Sequence, residues 1–308
     1  MHTINMTNGP QNVVRMILGC MRMPNLSVQE AATMIQAAVD LGINYFDNAT
    51  CYTQGVAETR FGDALKASGI HREDLLIQTK CGLCFERNEF DWTKKNILES
   101  VDDSLRRMQL DYLDVLLLHR PDVLYDPQEV AEAFDLLVES GKVRHFGVSN
   151  VPPMMLEVLR KYVRQPLIIN QLQLSLEQSQ LIDQSLYLNN LSTDRSTDRD
   201  NGLLDYCRLH EITIQAWSPL QYGMIDGCFL DHPDYPELNA ELSRLAEKYQ
   251  VTKAAIALAW ILRHPANMQV IVGTMNPEHL KESAEAMNIR LTHHEWYELY
   301  LAAGKYLP

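Results

Sequence analysis

INYFDNATCY (43–52) begins as an apolar run, stops on Asp47 and reaches Tyr52 five positions later. LLIQTK (75–80) and LDVLLLH (113–119) repeat the form and end on Lys80 and His119. Short apolar runs of this length, closed by polar residues, read as buried strands. Five more occur: VVRMILG (13–19), VRHFGVS (143–149), LIINQL (167–172), ITIQAWS (212–218) and MQVIVG (268–273). Helix-like stretches alternate with all eight, which signals parallel strands joined by right-handed helical crossovers rather than a sandwich or a bundle. If the runs are neighbours in one parallel barrel, their C-terminal ends converge. An acid, a phenol, an amine and an imidazole then share one pocket.

The helices carry their own start signals. Ser27 with Glu30, and Thr292 with Glu295, have capping-box spacing, and Asn276 before Pro277 is a further start. TKAAIALAWILR (252–263) is apolar on most sides, as expected of a helix wedged between the barrel and a neighbouring helix. Around Asn8-Gly9-Pro10 two short extended runs predict a hairpin that plugs one end of the barrel. The polar stretch LSTDRSTDRDNG (191–202) has little apolar surface to bury and predicts a mobile loop after the sixth strand.

With 308 residues, 46% of them hydrophobic, the chain has material for one large core, and a single domain over 1–308 is expected. A net charge of -13 argues against nucleic acid and anionic membrane as partners. No run of eighteen apolar residues and no export signal is visible, so a cytoplasmic protein is expected. The six cysteines, at 20, 51, 81, 84, 207 and 228, lack the dense spacing of a disulfide scaffold and predict reduced thiols.

Reducing a carbonyl by hydride transfer needs a proton delivered to the developing alkoxide, and a phenol does this at neutral pH if its pKa falls. Tyr52 is the candidate acid. A neighbouring ammonium, Lys80, would lower that pKa, and Asp47 would keep the amine charged. His119 would donate a hydrogen bond that orients the carbonyl. Taken singly, an Asp after a strand is commonly a turn former and a strand-end Lys a solvated head. Only the conjunction points to a site.

Asp47, Tyr52, Lys80 and His119 match the pattern of the aldo-keto reductases, which the sequence resembles over nearly its whole length. Further matches are LGINYFDNATCY (41–52), GKVRHFGVSN (141–150), NQLQLS (170–175), AWSPL (216–220) and VGTMNPEHLKES (272–283), with KCG (80–82) and HRPD (119–122) resembling a bacterial branch. The resemblance implies a (β/α)8 TIM barrel that binds a nicotinamide dinucleotide across its C-terminal mouth and reduces aldehydes or ketones. It implies that Ser149, Asn150 and Gln171 hold the nicotinamide carboxamide and that Trp217 stacks on the ring. Ser218 and Leu220 would lie along the pyrophosphate, where Gln221 replaces a glycine common in the family. Gly273, Thr274, Met275, Asn276 and His279 would receive the adenosine phosphate, and Glu282 and Ser283 the adenine. Relatives carry Lys near Gly273 and Arg near His279, and this chain does not. NADP is the expected cofactor, with NAD as the alternative. No G-x-G-x-x-G run is present to support a Rossmann site.

Loops after the strands would read the substrate, a small or medium carbonyl compound, with Met21, Arg22, Asn48, Phe85, Trp92 and the 191–202 stretch as candidates. Cys81-Gly82-Leu83-Cys84 has redox spacing without thioredoxin-like surroundings, and His293-His294 reads as a solvent-facing pair; no metal site is expected. A monomer is expected. Two other readings stay open: a nucleotide-sensing regulatory subunit on the same fold, and a barrel enzyme of unrelated chemistry such as a hydrolase.

Overall fold

Eight parallel strands close on themselves. In the computed structural model, which describes residues 2–188, 190 and 192–308, a two-stranded hairpin, β1 (Thr3–Ile4) and β2 (Val13–Val14), precedes the barrel. The barrel strands are β3 (Met16–Gly19), β4 (Tyr45–Asp47), β5 (Leu76–Cys81), β8 (Leu113–Leu118), β9 (Val143–Ser149), β10 (Leu167–Gln173), β11 (Thr213–Trp217) and β12 (Gln269–Val272), with β12 pairing back onto β3. A second small hairpin, β6 (Leu83–Cys84) with β7 (Glu89–Phe90), rises from the end of β5. The fold is the (β/α)8 TIM barrel with an N-terminal hairpin.

Helices coat the barrel: α1 (Val28–Asp40), α2 (Val56–Ser68), α3 (Lys94–Met108), α4 (Pro127–Glu139), α5 (Pro153–Tyr162), α6 (Gln180–Tyr187), α7 (Leu203–Leu209), α8 (Pro236–Tyr249), α9 (Lys253–Leu262), α10 (Pro277–Ala284) and α11 (His293–Ala302). Barrel strands covered on both sides must be apolar almost throughout, and β3 and β8 are buried at every position. Ser27 and Thr292 form the expected capping boxes. Each such cap contributes about 1 kcal/mol. In α9 every residue from Ala255 to Leu262 is buried. Its Trp260 stacks on Trp296 of α11, and each indole N–H donates to the other residue's carbonyl at 3.1 Å.

The run 13–19 divides between two elements. Arg15 breaks it, because its guanidinium donates to the carbonyls of Leu262 and Met268, leaving Val13–Val14 to the hairpin and Met16–Gly19 to the barrel. The hairpin turn sits against β10: a Cβ on Gly9 would lie 2.7 Å from the Ile168 side chain. The expected hairpin is thus present and packs on the start of β10. The polar stretch after β10 is not the featureless loop its composition suggests. Leu191 lies outside the described residues, but Asp194–Ser196 form a 3-10 turn capped by Thr193. Arg195 pairs at 2.8 Å with the buried Asp183. Short Asp, Ser and Thr side chains bond their own backbone here and supply the order that apolar burial does not.

No described helix is long and apolar enough to cross a membrane.

Candidate active site

Asp47 ends β4 and Lys80 stands one residue before the end of the adjacent parallel β5, so their side chains meet at the same barrel mouth. Lys80 is fully buried, and its three N–H donors are all used: to Asp47 Oδ2 at 2.7 Å, to the Asn48 carbonyl at 2.8 Å and to the Tyr52 hydroxyl at 3.0 Å. Tyr52 opens a 3-10 turn, Tyr52–Gly55, five residues past the end of β4, and the two residues that follow it, Thr53 and Gln54, take left-handed backbone angles. His119, one residue past β8, lies edge-on to the Tyr52 ring with centroids 6.0 Å apart. The four residues singled out in the sequence therefore meet.

Electrostatics differ from the expectation in one respect. Burial pushes the Tyr52 hydroxyl up to about 12, and the Lys80 ammonium offsets only part of that rise. The phenol is thus held protonated, with a cation ready to support the phenolate, rather than shifted below its ordinary value. Burial acts to neutralise Lys80 as well and is the largest single influence on it, but Asp47 and Tyr52 together outweigh it and the amine is raised above its usual range. His119 is held well below 6.5, first by burial and then by the Lys80 and Arg120 charges, so it is a neutral imidazole.

Its partner was not legible in the sequence. Cys51 Sγ lies 3.4 Å from His119 Nδ1. Burial raises the thiol to about 11, so it keeps its proton. A thiol donating to Nδ1 leaves the imidazole proton on Nε2.

At the ends of β9 and β10 a second polar group assembles. Ser149 Oγ donates to the Gln171 carbonyl at 2.9 Å, Asn150 Nδ2 donates to Ser149 Oγ at 2.7 Å, and Trp217 Nε1 donates to Asn150 Oδ1 at 3.2 Å. Gln171 spends both amide hydrogens on Asp47 Oδ1 and Gln215 Oε1, each at 3.1 Å, and its own Oε1 accepts no hydrogen bond among the described residues. Asn48 is fully buried with neither Oδ1 nor Nδ2 paired. Orphaned amides of this kind next to a polar mouth mark a place for a hydrogen-bonding ligand.

Beyond Trp217 the backbone turns at Ser218, which takes φ 51. Gln221 takes no left-handed angle, so a residue with a Cβ fits there without backbone strain, although its Oε1 is buried without a partner among the described residues. Leu220 is half-buried against the core. At the end of β12, Arg22 donates to the Gly273 carbonyl at 3.3 Å, which puts an exposed cation beside Gly273, Thr274, Met275 and Asn276, none of which is charged. Thr274 accepts from the Asn276 amide, and Asn276 caps α10 by accepting from the Glu278 amide. Met275 packs on the core, His279 and Glu282 are exposed, and Ser283 is buried.

Trp92 is not a mouth residue. It is fully buried beneath the β6–β7 hairpin, edge-on to Tyr125, and Gly82 (φ 89) passes so close that a Cβ there would lie 2.6 Å from its ring. Phe85 at the hairpin tip is exposed.

The sequence profile described as "Aldo/keto reductase family" matches residues 15–300. A 6-dehydroglucose reductase of Agrobacterium fabrum is 36% identical over 281 residues, covering 88% of this chain and 87% of that protein. Among solved structures, a thermostable aldo-keto reductase in complex with epalrestat has a TM-score of 0.78 at 25% identity, over 98% of this chain and 100% of that one. An aldo/keto reductase from Klebsiella pneumoniae, solved with NADP and acetate, has a TM-score of 0.73 at 27% identity, over 97% and 94% of the two chains. Matched in profile, in sequence and in barrel geometry alike, the chain belongs to the aldo/keto reductase family of oxidoreductases.

Proposed function

We propose that the protein is an NADPH-dependent carbonyl reductase in which Tyr52 delivers the proton. The observation that carries this reading is the saturation of Lys80. With all three ammonium hydrogens donated to Asp47, Asn48 and Tyr52, the phenol oxygen is already an acceptor, and its own hydrogen is left for a substrate oxygen. As that hydrogen departs, the charge left on Tyr52 falls next to a fixed cation. His119 is neutral, and with the Cys51 thiol as donor to Nδ1 its proton lies on Nε2, where it can orient the same carbonyl.

The cofactor would supply the hydride. The chain's residues suit it. Gln171 Oε1 offers an acceptor and Ser149 and Asn150 offer further polar groups for the carboxamide, Asn48 holds an unpaired buried amide, and Trp217 presents an aromatic face. Ser218 and Leu220 would line the pyrophosphate. Gly273, Thr274, Met275, Asn276 and His279 would receive the adenosine phosphate, Arg22 would add the cation there, and Glu282 would meet the adenine. NADP is favoured over NAD on that account, and the Klebsiella pneumoniae relative's complex with NADP is in keeping. The named Agrobacterium fabrum relative suggests sugar-derived aldehydes as a substrate class.

The test is loss of reduced-nicotinamide absorbance with a panel of aliphatic, aromatic and sugar-derived aldehydes, run with NADPH and with NADH. We expect turnover with NADPH and a fall of about 10²- to 10⁴-fold for Tyr52→Phe, the scale for removing a general acid. Turnover indifferent to that substitution would refute the assignment. Tight dinucleotide binding with negligible turnover across the panel would favour the nucleotide-sensing subunit instead.

A further inference from the structure

Beneath the catalytic quartet, the barrel interior is amide rather than hydrocarbon. Barrels of this type are usually filled by layers of branched apolar side chains. Here Gln78, Gln171, Gln215 and Gln269 point inward from β5, β10, β11 and β12, together with Tyr45 and Asp47 from β4, and none of the six is more than 2% exposed. Gln78 Nε2 donates to Asp47 Oδ1 at 2.6 Å and to Gln215 Oε1 at 3.0 Å, and the Tyr45 hydroxyl donates to Gln78 Oε1 at 2.8 Å. Gln215 Nε2 continues to Gln269 Oε1 at 3.1 Å, and Gln269 Nε2 ends on the Val14 carbonyl at 2.6 Å. Asp47 fixes the sense of the chain. An ionised carboxylate only accepts, so Gln78 must turn its NH2 toward it and its carbonyl toward Tyr45. Burial raises the Tyr45 hydroxyl far above its ordinary value, which keeps it a donor.

We propose that Gln78 is a positioning residue for the reaction: by occupying Asp47 Oδ1 it aims Oδ2 at Lys80, and so holds the ammonium on Tyr52. The inference rests on the functional reading above. Asp47 has two oxygens, and without the 2.6 Å donor only the longer bond from Gln171 would hold Oδ1 and so keep the carboxylate from turning about its bond to Lys80. The groups facing Lys80 are Asp47 from β4, Cys51 and Tyr52 from the following loop, Cys20 from the loop after β3, and His119 from the end of β8. Of these only Asp47 is a carboxylate. When it turns away, burial prevails and the ammonium loses its proton at lower pH.

The test compares Gln78→Met with Gln269→Met, a substitution of the same kind at the far end of the same network. In the crystal structure of Gln78→Met we expect the Asp47–Lys80 bond to be broken or rotated onto the other oxygen. With para-nitrobenzaldehyde and NADPH we expect kcat to fall about tenfold or more, the scale of a small misplacement, at unchanged KM for NADPH. The alkaline limb of kcat should move down by about one pH unit, and Gln269→Met should leave it in place. If Gln78→Met does not fold, Gln78→Glu takes its place: protonated it still donates to Asp47, so activity should persist at acidic pH and disappear at a new, lower alkaline limb. An intact Asp47–Lys80 bond with an unmoved limb, or an equal shift in Gln269→Met, overturns the proposal. Absence of turnover in the parent protein would defeat the functional reading alone, and the crystal structure would still decide whether Gln78 positions Asp47.

Discussion

Lys80 Nζ stands between Asp47 Oδ2 at 2.7 Å and the Tyr52 hydroxyl at 3.0 Å, inside the protein and out of contact with solvent. Removing the lysine leaves a buried carboxylate without its counter-charge, which costs about 3–5 kcal/mol. Lys80→Met should therefore lose both activity and stability. Adding Asp47→Asn should restore much of the denaturation midpoint while activity stays lost. A double variant as unstable as the single one, in chemical denaturation, would count against the ion pair as the source of the cost.

His119 links stability to acidity. Its folded value is depressed well below 6.5 while the unfolded chain titrates at 6.5. Below pH 6.5 the unfolded state takes up a proton that the folded state refuses, so stability falls as pH falls, by at most about 1.4 kcal/mol per pH unit for the one group. Above pH 6.5 the contribution is flat. His119→Gln should remove this share of the acid-side slope, and denaturant midpoints between pH 5 and 7 or so would measure it. His264, held at about 4 mainly by burial, retains its own share.

Cys51 meets His119 at Nδ1, with Sγ 3.4 Å from it. Cys51→Ala frees Nδ1 to hold the imidazole proton, and kcat should drop several-fold, whereas Cys51→Ser keeps a donor and should retain most of the rate. The ring-nitrogen shifts of His119 in the resting protein give a second readout. Equal rates for the alanine and serine variants would separate the thiol from the orientation of the ring.

Arg22 supplies the exposed cation beside Gly273. We expect Arg22→Ala to weaken NADP binding about tenfold, in line with the loss of one charge-assisted contact. NAD binding should change less. Titration of both dinucleotides at low and high salt would show it, because added salt should shrink the difference between the parent protein and the variant.

Much of this geometry could be read from residue order because the barrel converts one-dimensional spacing into proximity. Runs ending on Asp47, Lys80 and His119 had to bring those residues to one rim once the strands were parallel. Capping at Ser27 and Thr292 was equally legible, being decided within four residues. Besides the Cys51 contact to His119, three features were not. A single glutamine inside LLIQTK or ITIQAW carries no periodic signal, and its role depends on which strand lies across the barrel. Arg22 reads as a substrate-loop residue until β12 is seen to close onto β3 and bring Gly273 beside it. The upward shift at Tyr52 comes from burial, which the order of residues does not state.

The amide layer also constrains what this chain can become. Replace Gln215 by a hydrocarbon side chain and one amide hydrogen on each of Gln78 and Gln171 loses its acceptor in the dry interior. A change at Gln215 is therefore expected to be tolerated best when Gln78 and Gln171 change with it.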